Sequence, residues 1–397
     1  MIVVGLVACG RQAPVFAPGN LTVTSTPDSA AIFIDGQDTG AFTPHLFADL
    51  DANLYNVRVQ LADHISTPDH ISVDLAPLDD LTLAFALSQT GLQVTSNPAG
   101  AAIFIDGTDT GEITPATIGG LSAGVVDVSL TLPTYLVSPA SLPVTISEGS
   151  VASVPDSAFS IVPQRTVVLE GFANVDCIPC PQLTANLVAM ADKPGFGPDR
   201  VLYLEYSVSW PNFTDPLYLY NPSENTDRFT DYLVLAAPAV YEDGHQLGDA
   251  LNANAMEAAA LLALQTDPGF AIALNADFTN PTVPVTVTLD PRADRDLAGY
   301  SLYVALYEKV VDFNARGISP GANNQVVFHH VFRDRVDTPP PLGVLTAGIP
   351  DVHQVNLTRG DWALDNLVVV AFVQHDTNHA IIQAGSFGET ATAGGTP

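Results

Sequence analysis

Basic side chains are scarce in this sequence. Of its 397 residues only 13 are Lys or Arg against 43 Asp or Glu, and the formal net charge is −30. Lysine occurs only at positions 193 and 309. A surface of that sign repels phosphate backbones and anionic headgroups, so nucleic acid is not expected as a partner. The acidity itself is a solubility trait. Charged residues make up only 14% while hydrophobic ones reach 47%, which excludes a disordered chain. No glycine-rich phosphate loop, serine-nucleophile motif or pair of catalytic carboxylates stands out, and no cofactor is expected.

What the chain does have is turn chemistry. Its 31 prolines and 29 glycines punctuate short runs of β-branched and aromatic residues, and the length predicts three or four domains. The expected fold class is multidomain and mostly β, with one α/β domain.

Cysteine is limited to three positions, 9, 177 and 180. The apolar run Ile2 to Ala8 is too short to span a bilayer and ends at Cys9, as a signal-peptide core does. Leu6-Val7-Ala8-Cys9 resembles a bacterial lipobox, which implies cleavage before Cys9 and a lipid on its thiol. The alternative is a cysteine that follows small residues by accident. A lipidated Cys9 leaves Cys177 and Cys180 as a pair in a compartment that permits disulfides.

A segment from Leu21 to Pro44 recurs without a gap, and with most positions identical, from Leu92 to Pro115. Each copy begins with alternation (Leu21/Val23, Leu92/Val94) and reaches a second strand that runs into Asp35-Gly36 or Asp106-Gly107, a hairpin signal. Further strands are expected around 55–61, 71–75 and 81–87, and again around 125–132, 142–146 and 151–159. The early Ser-x-Pro, the Ile-x-Ile-Asp-Gly, the downstream Gly and the closing Thr-Pro resemble the PEGA module, a small β-sandwich of surface-layer and envelope proteins. Asp35, Asp38, Asp106 and Asp109 invite a calcium reading, but two carboxylates per turn fall short of the six to eight oxygens the ion takes. A plain hairpin turn is expected instead.

Further on, an apolar strand, 165–169, leads through Glu170 to Asp176 into Cys177-Ile178-Pro179-Cys180 and then a helical stretch. Strand, cysteine pair, helix is the order that places the first thiol at a helix N-terminus, where free N–H groups favour thiolate. A second strand, 201–206, and Ala236-Ala237-Pro238-Ala239 ending in Asp243-Gly244 resemble the remaining landmarks of a thioredoxin-like domain. That resemblance implies a cis Pro238 beside the cysteines, attack by Cys177, resolution by Cys180, and Glu170 as the buried acid that moves protons for Cys180. Asp176 next to Cys177 departs from the pattern and opposes thiolate formation. Glu170-x-Phe172 before the cysteines, the segment Asp215 to Asn225, and Asn324 to Arg333 are also similar to the "28 kDa outer membrane protein"-related lipoproteins. Residues 164–388 share that likeness. A redox-active pair, a structural disulfide and metal binding all remain open for Cys177 and Cys180.

From 270 onward alternating stretches predict a C-terminal β-sandwich, preceded by a helix over 250–264. His329, His330, His375 and His379 could form a metal site, but adjacent His329 and His330 point to opposite faces of a strand, and no metal is expected. Trp210 and Trp362 read as packing aromatics.

The expected organisation is therefore a signal peptide (1–8), a linker after lipidated Cys9 (9–19), PEGA-like repeats (20–89 and 90–161), a thioredoxin-like domain (162–267), a C-terminal β-sandwich (268–388) and a disordered tail (389–397). The function it suggests is a cell-envelope lipoprotein, in the outer membrane, exchanging disulfides with exported proteins. The alternative is a non-enzymatic adhesion or scaffolding protein that binds envelope components and uses the cysteine pair as a clasp.

Overall fold

The structure, a computed structural model, describes residues 17–389; Cys9 and the expected tail from 390 lie outside them. Two compact units result, one holding the chain up to Leu132 with Val137–Ile161, the other Pro133–Leu136 with the chain from Val162. Most of the ordered secondary structure is strand, as the composition implied.

In the first unit the opening strand, Gly19–Thr26, buries Leu21 and Val23 completely on one face. It lies in a sheet ordered His45–Leu50, Gly19–Thr26, Asp80–Gln89, His64–Thr67. A second sheet runs Gln37–Phe42, Ala31–Ile34, Asn53–Gln60, Ile71–Leu75. Leu21, Val23, Ile32, Val57, Val59 and Phe85 fill the space between them, so the repeat is a β-sandwich. The second repeat repeats the plan, with Gly91–Val94 central in one sheet and Ala102–Ile105 and Gly124–Thr131 central in the other. In both copies the first and last strands pair in parallel, from Asn20 with Asp80 to Thr26 with Ala86, and from Gly91 with Val151 to Val94 with Val154.

The Asp-Gly hairpins form as expected. Asp35 and Gly36 have φ of 51° and 79°, Asp106 and Gly107 of 49° and 74°, the two positive values a type I′ turn requires. The carboxylates are engaged by backbone N–H groups. Asp35 accepts from Asn56 N and Asp106 from Asp127 N, both at 2.8 Å, while Asp38 and Asp109 accept from Gly40 N and Gly111 N.

In the second unit one eight-stranded sheet runs His245–Gln246, Ala239–Glu242, Val167–Ala173, Val201–Ser207, Val327–Arg335, Tyr300–Asp312, Leu367–His375, Ile381–Phe387. It therefore takes strands from both sides of residue 267. Helices α1 (Cys180–Ala191), α2 (Pro216–Tyr220), α3 (Pro222–Asp231) and α4 (Ala253–Ala263) pack around it. Alternation along the strands sorts the core into two faces. Val168, Phe172, Leu204, Tyr206, Tyr303, Tyr307, Val370 and Phe372 share one face with Tyr232 and the half-buried Phe229 of α3.

The opposite face has two covers. Val167, Leu169 and Tyr203 meet Leu183 and Leu187 of α1 and Met256 and Ala260 of α4. Leu302, Leu306, Val369 and Val373 meet a three-stranded sheet, Phe270–Ala276, Thr282–Pro291 and Asp351–Thr358. Each large side chain buried this way contributes about 1.5–3 kcal/mol. Helix α4 begins at Ala253, later than the sequence implied, because the Asn252 side chain accepts from Ala255 N at 3.1 Å and caps it there.

Candidate redox site

Cys177 and Cys180 form a disulfide at the start of α1. Strand Val167–Ala173 delivers the chain to this point, and a polar loop fixes the turn. Asn174 Nδ2 donates to Val208 O (2.8 Å) and Asn212 O (3.0 Å), Val175 N donates to the buried Asp215 carboxylate (3.0 Å), and Asn323 Nδ2 donates to Cys177 O (3.3 Å). Asp215 also caps α2 through Leu217 N. Burial pushes its carboxyl up to about 6 against the pull of those N–H donors. The Asp176 carboxylate accepts from Ala322 N at 2.6 Å.

Ala173 and Ala237 pack against both cysteines, and the Ala237–Pro238 peptide is cis. The structure thus brings together Cys177, Cys180 and the Pro238 segment. Cys177 is 4% exposed and Cys180 0%, whereas Ile178 between them is 67% exposed.

Glu170 stands elsewhere, and its expected role is corrected. On its strand it shares a face with Val168 and Phe172, while the cysteines lie beyond the face of Val167, Leu169 and α1. The side-chain period of a strand is two, so an acid displaced by one residue is turned to the other side of the sheet. There Glu170 meets Arg228 of α3, whose guanidinium also lies over the rings of Tyr232 (4.5 Å) and Tyr303 (4.6 Å). Tyr232 and Gln374 complete the network through their side-chain bonds to Glu170 and Arg228. This is a core ion pair, not a proton relay for Cys180.

The strand residue facing α1 is Gly171, and the acid on that face comes from the neighbouring strand. Glu205 is 2% exposed, pairs with Gly171 in register, and lies with Val201 and Tyr203 toward α1. Its Oε2 accepts from Thr184 Oγ1 at 3.2 Å and from the Tyr203 hydroxyl. A Cβ on Gly171 would come within 3.2 Å of the Tyr203 ring, so glycine here makes room for that tyrosine. Thr184 is one helical turn beyond Cys180 on the same face. Burial raises the Glu205 carboxyl to about 7, although both hydroxyls favour its anion. The signal was an acid inside the apolar run Val201-Leu202-Tyr203-Leu204-Glu205-Tyr206.

The histidines are not gathered. His330 Nε2 bonds Glu389 (2.7 Å), His375 lies against Tyr300 and His379 against Tyr232. Among the described residues no group of three His, Cys, Asp or Glu could hold a metal ion. Trp210 packs on Phe229, and Trp362 on Tyr220. Among the described residues no helix is long and apolar enough to cross a membrane.

No curated protein matches the chain. Among solved structures, it is similar to HBP35 of Porphyromonas gingivalis at 18% identity, covering 59% of this chain and 79% of that one, with a TM-score of 0.45. A structural-genomics protein from Agrobacterium tumefaciens matches at 17% identity over 58% of this chain and 97% of that one, with a TM-score of 0.40. Residues 18–78 and 89–154 each match the PEGA domain, so the two repeats that open the chain are a pair of PEGA domains.

Proposed function

We propose that this chain is a cell-envelope protein whose PEGA domains carry a thioredoxin-like unit that exchanges disulfides with exported proteins. The observation that supports it most is the Cys177–Cys180 disulfide at the start of α1, with Ala237 beside it and the buried Glu205 bonded to Thr184, one helical turn beyond Cys180. In the reduced protein the Cys177 thiolate, favoured by the free N–H groups of the helix start, attacks a substrate disulfide and releases one substrate thiolate. Cys180 passes its proton toward Glu205 by way of the Thr184 hydroxyl and attacks Cys177. The second substrate thiolate leaves, the substrate is reduced, and the pair is oxidised. The Pro238 segment presents extended backbone to the substrate strand. Lipidation of Cys9 tethers the protein to the outer membrane in this reading.

Catalysed reduction of insulin by dithiothreitol, measured with wild type and Cys177→Ser, tests the exchange. Wild type accelerates it and the variant does not. A bond that resists millimolar dithiothreitol in the folded protein rules exchange out. Fatty-acid labelling of wild type and Cys9→Ala tests the anchor, and equal labelling removes it.

One observation favours a second reading. Cys177 is only 4% exposed, which suits a structural clasp in an adhesive or scaffolding protein. The measured reduction potential separates the two, because exchange catalysts and structural disulfides differ by about 100 mV or more.

A further inference from the structure

Just after α3 the side chains alternate between core and water. Tyr232 and Val234 are buried, whereas Leu233 and Leu235 are 75% and 91% exposed. The turn is firmly held: Val234 N donates to Phe229 O at 2.9 Å, and the Tyr241 hydroxyl donates to Tyr232 O at 2.9 Å. Leu233 sits at φ 52°, a left-handed conformation unfavourable for leucine. Backbone held against its preference, with large apolar side chains turned to water, marks a functional surface. Both leucines line a cavity of about 400 Å³ whose other walls are Trp210, Phe229, Thr230 and Val234. None of these residues is charged, in a chain with a net charge of −30.

The cavity is continuous with the disulfide site. Ala237 packs on Cys177 and Cys180 and also on the cluster that holds Trp210 and Phe229. Leu235 precedes Ala237 by two residues, a reach of at most about 7 Å along the chain. From the other side Asn174, in the loop that enters Cys177, donates to Val208 O and Asn212 O, which bracket Trp210.

Resting on the exchange reading above, we propose that this groove is a specificity pocket for the polypeptide that carries the substrate disulfide, and that it receives a large apolar side chain about two residues from the substrate cysteine. The two-residue spacing repeats that of Leu235 from Ala237, since the substrate cysteine must come to Cys177. The substrates are then exported polypeptides that have not finished folding. A folded protein buries most of its large apolar side chains, whereas an unfinished chain shows them beside its cysteines. A small hydrophilic disulfide has nothing to place there.

The test uses the reduced full chain and two peptides, each joined through its one cysteine to glutathione, one with Phe and the other with Ser two residues to either side of that cysteine. In each turnover the Cys177 and Cys180 thiols become the disulfide, and the peptide and glutathione leave as thiols. The rate of peptide-thiol release gives a second-order constant for each. Wild type is expected to favour the Phe peptide by about tenfold or more, the discrimination an apolar pocket supplies. The double variant Leu233→Ser, Leu235→Ser should treat the two peptides about equally while keeping the melting temperature and reduction potential of wild type. Equal rates in wild type, or an undiminished preference in the variant, overturn the pocket and leave exchange standing. Release from neither peptide overturns exchange, and the pocket with it. Self-association of wild type that the variant loses gives the groove to a second copy of the chain and likewise overturns the proposal.

Discussion

Glu170 and Arg228 meet in a two-point ion pair, Oε1 to Nε at 2.7 Å and Oε2 to Nη2 at 2.8 Å, with side chains 0% and 2% exposed. Removing one partner strands the other charge in an aromatic core. Glu170→Ala should therefore lose about 3–5 kcal/mol in denaturant unfolding, whereas the double change Glu170→Met, Arg228→Leu should recover most of it. The reduction potential of Cys177–Cys180 should not move, because the pair lies across the sheet. A shifted potential with unchanged stability would restore Glu170 to the redox site.

Glu205 should behave in the opposite way. If it takes the Cys180 proton, the rate of insulin reduction rises as pH passes through about 7, the value to which burial lifts its carboxyl. Glu205→Gln should flatten that rise and lower the rate at pH 8 roughly tenfold or more. Thr184→Val should weaken the dependence without abolishing it. An unaltered pH profile in Glu205→Gln makes the residue structural.

Stability should fall as pH rises from 4.5 to 8. Burial is the first cause that raises Glu205, Glu224 and Glu242 to about 7, and Asp215 and Asp243 to about 6. A carboxyl with a raised folded value keeps its proton after the unfolded chain has lost it. Its stabilising contribution is full below the unfolded value and is lost as pH climbs through the folded one. For fully buried Glu205 the loss is on the order of 3 kcal/mol. Melting temperatures at pH 5 and pH 8 check the sign, and a higher value at pH 8 contradicts it.

Gly244 closes a turn at φ 84°, and a Cβ there would lie 1.9 Å from His379 O. Gly36, at φ 79°, has open space around it. Both positions strain an L-residue, but only the first adds a collision with backbone. Gly244→Ala should destabilise by about 1–3 kcal/mol more than Gly36→Ala. Equal losses in chemical denaturation would mean that the His379 turn yields freely.

The PEGA repeats were legible because their strands alternate and their Asp-Gly turns need positive φ. Gln37–Phe42, polar and largely exposed, carries no such alternation and was missed. The cysteine pair and Pro238 could be placed in order along the chain. Glu170 could not be assigned to a face by proximity, since one residue of offset reverses it. The weight of Glu205 depends on which strand lies beside Gly171, a long-range pairing that no local pattern encodes. Arg228 was hidden for a related reason, in a helix whose sequence, Pro222 to Asp231, is polar almost throughout.

The parallel pairing of first and last strands in each PEGA domain sets how the domain bears tension. The chain enters at one end of the Gly19–Thr26 strand and leaves at the far end of Asp80–Gln89, so a pull along the chain slides these strands past each other. The bonds from Asn20 to Thr26 then share the load together rather than opening one after another. The second domain, with Gly91–Val94 beside Val151–Val154, bears it in the same geometry over a shorter ladder. In a single-molecule pull the second repeat is expected to open before the first.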